Sequence, residues 1–138
     1  MVRLTQAQFE RILVHAAQHD PHECCGLVGG DSDGTVQSVY ELNNIARDKT
    51  NAYEAAPEDL FAAQRQMRER GEQLLAIYHS HPRSDAPSPS ETDVRLAYYP
   101  DAVYFIIGLA GPEPLLRAFR ISERDDRWEA VEYEVSRE

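Results

Sequence analysis

Only two cysteines occur in these 138 residues, and they are neighbours, Cys24 and Cys25. Adjacent thiols cannot staple distant segments, so a disulfide framework is excluded and a reducing compartment is expected. No run approaches the ~18 apolar residues of a membrane span. The first twenty residues, MVRLTQAQFERILVHAAQHD, carry polar side chains throughout, unlike a secretion signal. A soluble, cytoplasmic chain that engages no membrane is expected. Basic residues are scarce: 14 Lys and Arg against 24 Asp and Glu give a formal net charge of −10, which argues against a nucleic acid partner held through its phosphates. No glycine-rich phosphate loop, dinucleotide fingerprint or G-x-S-x-G elbow is present, and neither half of the deaminase signature H-x-E with P-C-x-x-C occurs. With 42% hydrophobic content and no repeat or long linker, residues 1–138 fit a single domain with a core of its own.

Thr5 reads as an N-cap, and Phe9, Ile12, Leu13, Ala16 and Ala17 recur at the spacing of an amphipathic helix ending near Asp20-Pro21. Cys24 to Val28 reads as a buried strand, Gly29 to Gly34 as a hairpin turn and Thr35 to Leu42 as the returning strand. A loop follows from Asn43 to Asn51. Pro57, Glu58 and Asp59 then suit the first turn of a second helix, with Leu60, Phe61, Ala63 and Met67 as apolar positions and Gly71 as its stop. Leu74 to Tyr78 predicts a further strand. A short helix is expected from Ser90 to about Tyr99, then strands at Ala102–Leu109, Leu115–Ile121 and Trp128–Val135, with the charged stretch Arg120–Arg127 turning a C-terminal hairpin. Strands interrupted by two or three helices imply an α/β, or layered α+β, domain with helices packed on a mixed sheet.

Chemistry concentrates in His79-Ser80-His81-Pro82 and Ser90-Glu91-Thr92-Asp93. Strand geometry sends residues i and i+2 to one face, so His79 and His81 can aim at a single ion. Catalytic zinc takes three His or carboxylate ligands and keeps a fourth position open to water. Asp93 is the natural third ligand, with Glu91 as the fallback. Ser90 with Asp93 three residues on also has the form of a capping box that starts a helix. The two readings agree, because a helix starting at Ser90 would fix Asp93 in its first turn and leave the Ser90 hydroxyl free to donate to a substrate oxygen. Hydrolysis further needs a carboxylate that does not ligate the metal, to move the water's proton to the leaving amine. Glu23, at the mouth of the Cys24 strand, is the best candidate.

The succession Pro21-His22-Glu23-Cys24-Cys25-Gly26-Leu27, His79-Ser80-His81-Pro82 and Ser90-Glu91-Thr92-Asp93 resembles the JAMM, or MPN+, metallopeptidase family. The resemblance implies that His79, His81 and Asp93 hold one zinc ion, that Glu23 is the acid/base, and that Ser90 stabilises the oxyanion. It implies a curved mixed sheet flanked by helices, in the cytidine-deaminase-like arrangement of that family. It also implies a protein substrate: a ubiquitin-like protein or sulfur carrier ending in Gly-Gly, cleaved at the amide or isopeptide bond after the last glycine. Eleven residues separate His81 from Asp93, one more than the family's usual spacing. Loop length costs little entropy, so the added residue is expected to bulge outward and spare the ligand geometry.

Rival readings are a RadC-type protein associated with DNA repair, disfavoured by the acidic charge, and a noncatalytic MPN scaffold, disfavoured by the complete ligand set. Cys24 and Cys25 sit in an apolar run beside Gly26 and are expected to pack rather than act as nucleophiles. His15 and His19 are four apart on the first helix but lack the glutamate of H-E-x-x-H, and are expected to face solvent. Tyr53, Tyr78 and the loop after Pro82 are candidate walls of a groove for the substrate tail.

Overall fold

The computed structural model describes residues 1–137. Helix α1 (Gln6–His19) starts at Thr5, whose side chain accepts from the Gln8 N–H while the Gln8 side chain accepts from the Thr5 N–H. That reciprocal pair satisfies two of the helix's orphan donors. Helix α2 (Pro57–Glu69) has no side-chain cap and relies on Pro57 at its first position and on Glu58 and Asp59 in its first turn. Gly71, at φ 68, takes the left-handed turn that ends it. Strands β2 (Cys25–Gly30), β3 (Val36–Leu42), β4 (Gln73–His81), β5 (Val103–Gly108), β6 (Leu115–Ser122) and β7 (Arg127–Val131) form one sheet in the order β3-β2-β4-β5-β6-β7. Only the β4–β5 pair is parallel.

Strands β2 and β5 bury every residue, as expected for central strands covered on both faces. One face carries Val28, Ala76, Tyr78, Phe105 and Ile107 against Ile12 and Ala16 of α1. The other carries Leu27, Ile77, Tyr104, Ile106 and Phe119 against Ala63 and Met67 of α2. The expected elements are therefore present, with three corrections. Helix α3 (Glu91–Arg95) stops short of Tyr99, because the chain turns at Leu96 to bury Ala97 and meets Pro100, which disfavours helix at the residue before it. The last strand breaks at Glu132: β7 ends the main sheet, and β8 (Tyr133–Ser136) pairs in parallel with β1 (Val2–Thr5), an unforeseen strand. Phe61 is 64% exposed, since it lies on the side of α2 opposite the buried Ala63 and Met67.

Gly26 lies directly against the Tyr78 ring, where any Cβ would enter the ring itself. Tyr78 is fully buried and has nowhere to retreat. Gly26→Ala is accordingly expected to lose roughly 1–3 kcal/mol by overpacking, read as a lower urea midpoint at unchanged slope.

Candidate metal centre

Antiparallel pairing sets Cys25 of β2 opposite His79 of β4, and Glu23, two residues before the ladder begins, lies close enough to His81 for their charges to interact. Beyond the ladder, Ser80 locks the junction: its N–H donates to the Cys24 carbonyl (3.2 Å), and its Oγ accepts from the Cys24 N–H (2.8 Å). His79 and His81 point to the α2 face of the sheet, while Tyr78 and Ser80 alternate to the α1 face. Asp93 comes from the first turn of α3, where the Ser90 Oγ accepts from the Asp93 N–H (3.1 Å) and Asp93 Oδ2 accepts from the Ser90 N–H (2.9 Å). The capping box thus aims the carboxylate back at the histidines.

Three contacts of 3.1 Å close the site: His79 Nε2 to His81 Nε2, His79 Nε2 to Asp93 Oδ1, and His81 Nε2 to Asp93 Oδ2. Two ring nitrogens so placed can share at most one proton, and two neutral imidazoles turning lone pairs to the same point would suit a cation between them. Ligand atoms bonded to a tetrahedral ion at ~2.0–2.2 Å stand ~3.3–3.5 Å apart, close to this triangle. The donor set fits a divalent metal. Its side chains are 1% (His79), 18% (His81) and 10% (Asp93) exposed, so the approach from solvent is on the His81 side.

The electrostatics divide the two carboxylates. Burial works to raise the Asp93 carboxyl, but hydrogen bonds from His79 and His81 outweigh it and hold Asp93 far below the usual carboxylate range. Burial also works to lower His81, yet the hydrogen bond and charge of Asp93 raise it. Glu23 has no such partner. Burial pushes its carboxyl up to about 7, with His81 opposing and Asp93 and Asp48 reinforcing. It is 7% exposed and faces the ligand cluster without belonging to it.

Of the residues singled out in the sequence, His79, His81 and Asp93 converge, and the fallback Glu91 does not. Exposed Ser90 keeps its hydroxyl proton, because its oxygen is an acceptor in the cap. The longer loop turns outward at exposed Asp85 and Ala86, while Pro82, Pro87 and Pro89 are buried and the ligand triangle is kept. Cys24 and Cys25 are free and buried, and burial pushes both thiols up to about 12. Tyr53 covers the metal side, its ring stacked on His79 at 4.7 Å between centroids. Tyr78 does not line the site. It is buried on the far face, where its hydroxyl is hydrogen-bonded to Nδ1 of His15 (2.7 Å). His15 is likewise buried at 2% exposure rather than facing solvent, because it lies on the sheet-facing side of α1, where Tyr78 satisfies it. Burial lowers its pKa, against the pull of Glu41. Asn44, in an Asn-Asn pair just past β3, is marked in the sequence only by the tendency of such side chains to hydrogen-bond the backbone.

A family model described as prokaryotic homologs of the JAB domain matches residues 5–122. The chain is 39% identical to the desampylase of Haloferax volcanii, covering 70% of this chain and 73% of that protein. It is 32% identical to the CysO-cysteine peptidase of Mycobacterium tuberculosis, covering 80% of this chain and 75% of that one. Its fold is similar to the solution structure of a protein from Desulfitobacterium hafniense, with a TM-score of 0.85 and 38% identity over 100% of this chain and 94% of the other.

Raising the Glu23 pKa from 4.5 to about 7 has a definite sign. The fold favours the protonated carboxyl, so this contribution is fully present below about pH 4.5 and is lost as pH rises to about 7. Glu23→Gln, which stays neutral, should escape that loss. In metal-free protein the stability advantage of the variant over the native chain is expected to grow across that window and then level off, as measured by urea midpoints at each pH.

Proposed function

The chain belongs to the family of prokaryotic homologues of the JAB domain, and from that footing we propose that it is a zinc-dependent peptidase. Its reaction is hydrolysis of the amide or isopeptide bond after the C-terminal Gly-Gly of a ubiquitin-like or sulfur-carrier protein. The names of its relatives, a desampylase and a CysO-cysteine peptidase, support this class of substrate. The observation that carries the reading is the 3.1 Å triangle of His79, His81 and Asp93, with a desolvated Glu23 near His81. His79, His81 and Asp93 would hold one zinc, a metal suited to two imidazoles and a carboxylate with an open position. When bound, the ion supplies Lewis acidity to the scissile carbonyl and to water.

The remaining work falls to the protein. Glu23, poised near neutrality by burial, accepts the proton of the attacking water and returns it to the departing amine. With a cation held by His79, His81 and Asp93, Glu23 would favour its base form, the one that starts the cycle. Ser90 donates its free hydroxyl proton to the oxyanion while its oxygen goes on accepting from the Asp93 N–H, so one residue both caps the ligand helix and stabilises charge. Asp93 is held ionised by both histidines and does not compete for the proton. The chain acts as a single domain over residues 1–138, and we place it in the cytoplasm, a compartment supported by its two buried free thiols.

Elemental analysis tests the site. About one zinc per native chain is expected, with loss in His79→Ala, His81→Ala and Asp93→Ala. In a cleavage assay on Gly-Gly-linked conjugates, zinc-loaded Glu23→Gln should retain metal and lose roughly 10²- to 10⁴-fold in rate. A native chain that takes up no zinc when supplied with it would overturn the peptidase reading and favour a scaffold.

A further inference from the structure

Strand β2 begins at Cys25, so the backbone of Glu23 lies beyond the sheet's ladder and must be held by something else. The loop after β3 holds it. Glu23 N–H donates to the Lys49 carbonyl (2.7 Å), and the Glu23 carbonyl accepts from Nδ2 of Asn44 (2.9 Å). The same Asn44 amide donates to the Ala52 carbonyl (3.0 Å), while its Oδ1 accepts from the N–H groups of Ala46 (2.9 Å) and Glu54 (3.0 Å). Both donors and both lone pairs of the side chain are thereby used. Two of these bonds grip the residues on either side of Tyr53, the ring stacked on His79. Farther along, Asn51 accepts from Arg83, tying the loop to the chain just past His81.

We infer that Asn44 is a positioning residue of the metal centre, with one side chain fixing both the Glu23 backbone and the Tyr53 ring over His79. The role rests on the peptidase reading for what Glu23 does there. Its chemistry is specific to an amide of this length. Aspartate keeps the shape and the two acceptors but turns a carboxylate oxygen onto the carbonyls of Glu23 and Ala52. Glutamine is one methylene too long, and alanine loses all four bonds. Because Asn44 bonds only backbone, it touches neither substrate nor metal and acts entirely through where it holds Glu23 and Tyr53.

The test compares zinc-loaded native protein, Asn44→Asp and Asn44→Ala at matched metal content, using a Gly-Gly conjugate and the NMR resonances of the His79 ring. Displacement of an acid/base by about 1 Å costs up to ~10²-fold in rate. Both variants are therefore expected to bind zinc and to lose about 10- to 100-fold in kcat with KM within about twofold. The His79 ring protons should move downfield as the Tyr53 ring current is lost, as they also should in Tyr53→Leu. Unchanged kcat in both zinc-loaded variants, a change confined to KM, or an unmoved His79 resonance would overturn the inference. Failure of both variants to fold would also overturn it, assigning Asn44 to the fold alone. If native protein binds zinc but cleaves no Gly-Gly conjugate, the peptidase reading fails by itself, and the His79 resonance alone decides whether Asn44 sets the ring.

Discussion

Strand β4 is paired on both sides, antiparallel with β2 and parallel with β5, and its pleat sends His79 and His81 to one face while Tyr78 and Ser80 go to the other. Every part of the metal centre depends on that placement. A slip of one residue would turn both imidazoles into the α1-side core and bring Tyr78 and Ser80 to the metal. Such a slip is opposed from below as well as above. The Tyr78 ring fits only over Gly26, its hydroxyl reaches His15, and Ser80 bonds the Cys24 backbone in both directions. The residues between and beside the ligands are thus what fixes the ligands' register.

Polar groups buried on the two faces are treated differently. On the α1 side, burial keeps the Tyr78 phenol protonated and disfavours charge on His15, and the pair satisfies itself with one hydrogen bond. That is the usual solution for polar atoms in a core. On the α2 side, two imidazoles and a carboxylate crowd within 4.8 Å, a donor set that a divalent cation would suit. The contrast separates a structural histidine from candidate ligands more sharply than sequence spacing does. His15 and His19 have helical metal-site spacing, yet they end with one buried and the other exposed, bonding the His15 carbonyl.

The centre is assembled from parts with very different local support. His79 and His81 ride a nine-residue strand in mid-sheet, whereas Asp93 stands on a five-residue helix that could not persist alone. Its capping box compensates, since the Asp93 carboxylate closes the cap and faces the metal position with the same oxygen. Glu23 has the least regular support of all. It is held by a loop that the Asn44 amide ties together, so Glu23 is joined to the His79–His81–Asp93 cluster through irregular backbone rather than through the sheet.

Residue type and short-range spacing were sufficient to single out the three side chains that the fold brings together: an alternating His-x-His at a strand end, and an Asp at the third position of a Ser-capped helix. The same local rules placed Thr5 as a cap, Pro57 as a helix start and Gly71 as a stop, because each depends on backbone groups within a few residues. Local rules failed where a distant surface decided. Helix α3 stopped early, β8 left the main sheet for β1, and Phe61 and His15 exchanged their expected environments. The sequence alone determined which side chains could bind a metal and on which kinds of element they would stand. Only the tertiary structure decided that Glu23 comes beside His81, that burial raises its carboxyl to about 7, and that Asn44 ties it to Tyr53. Register, desolvation and long-range hydrogen bonds arise from segments meeting in space, and no spacing along the chain encodes them.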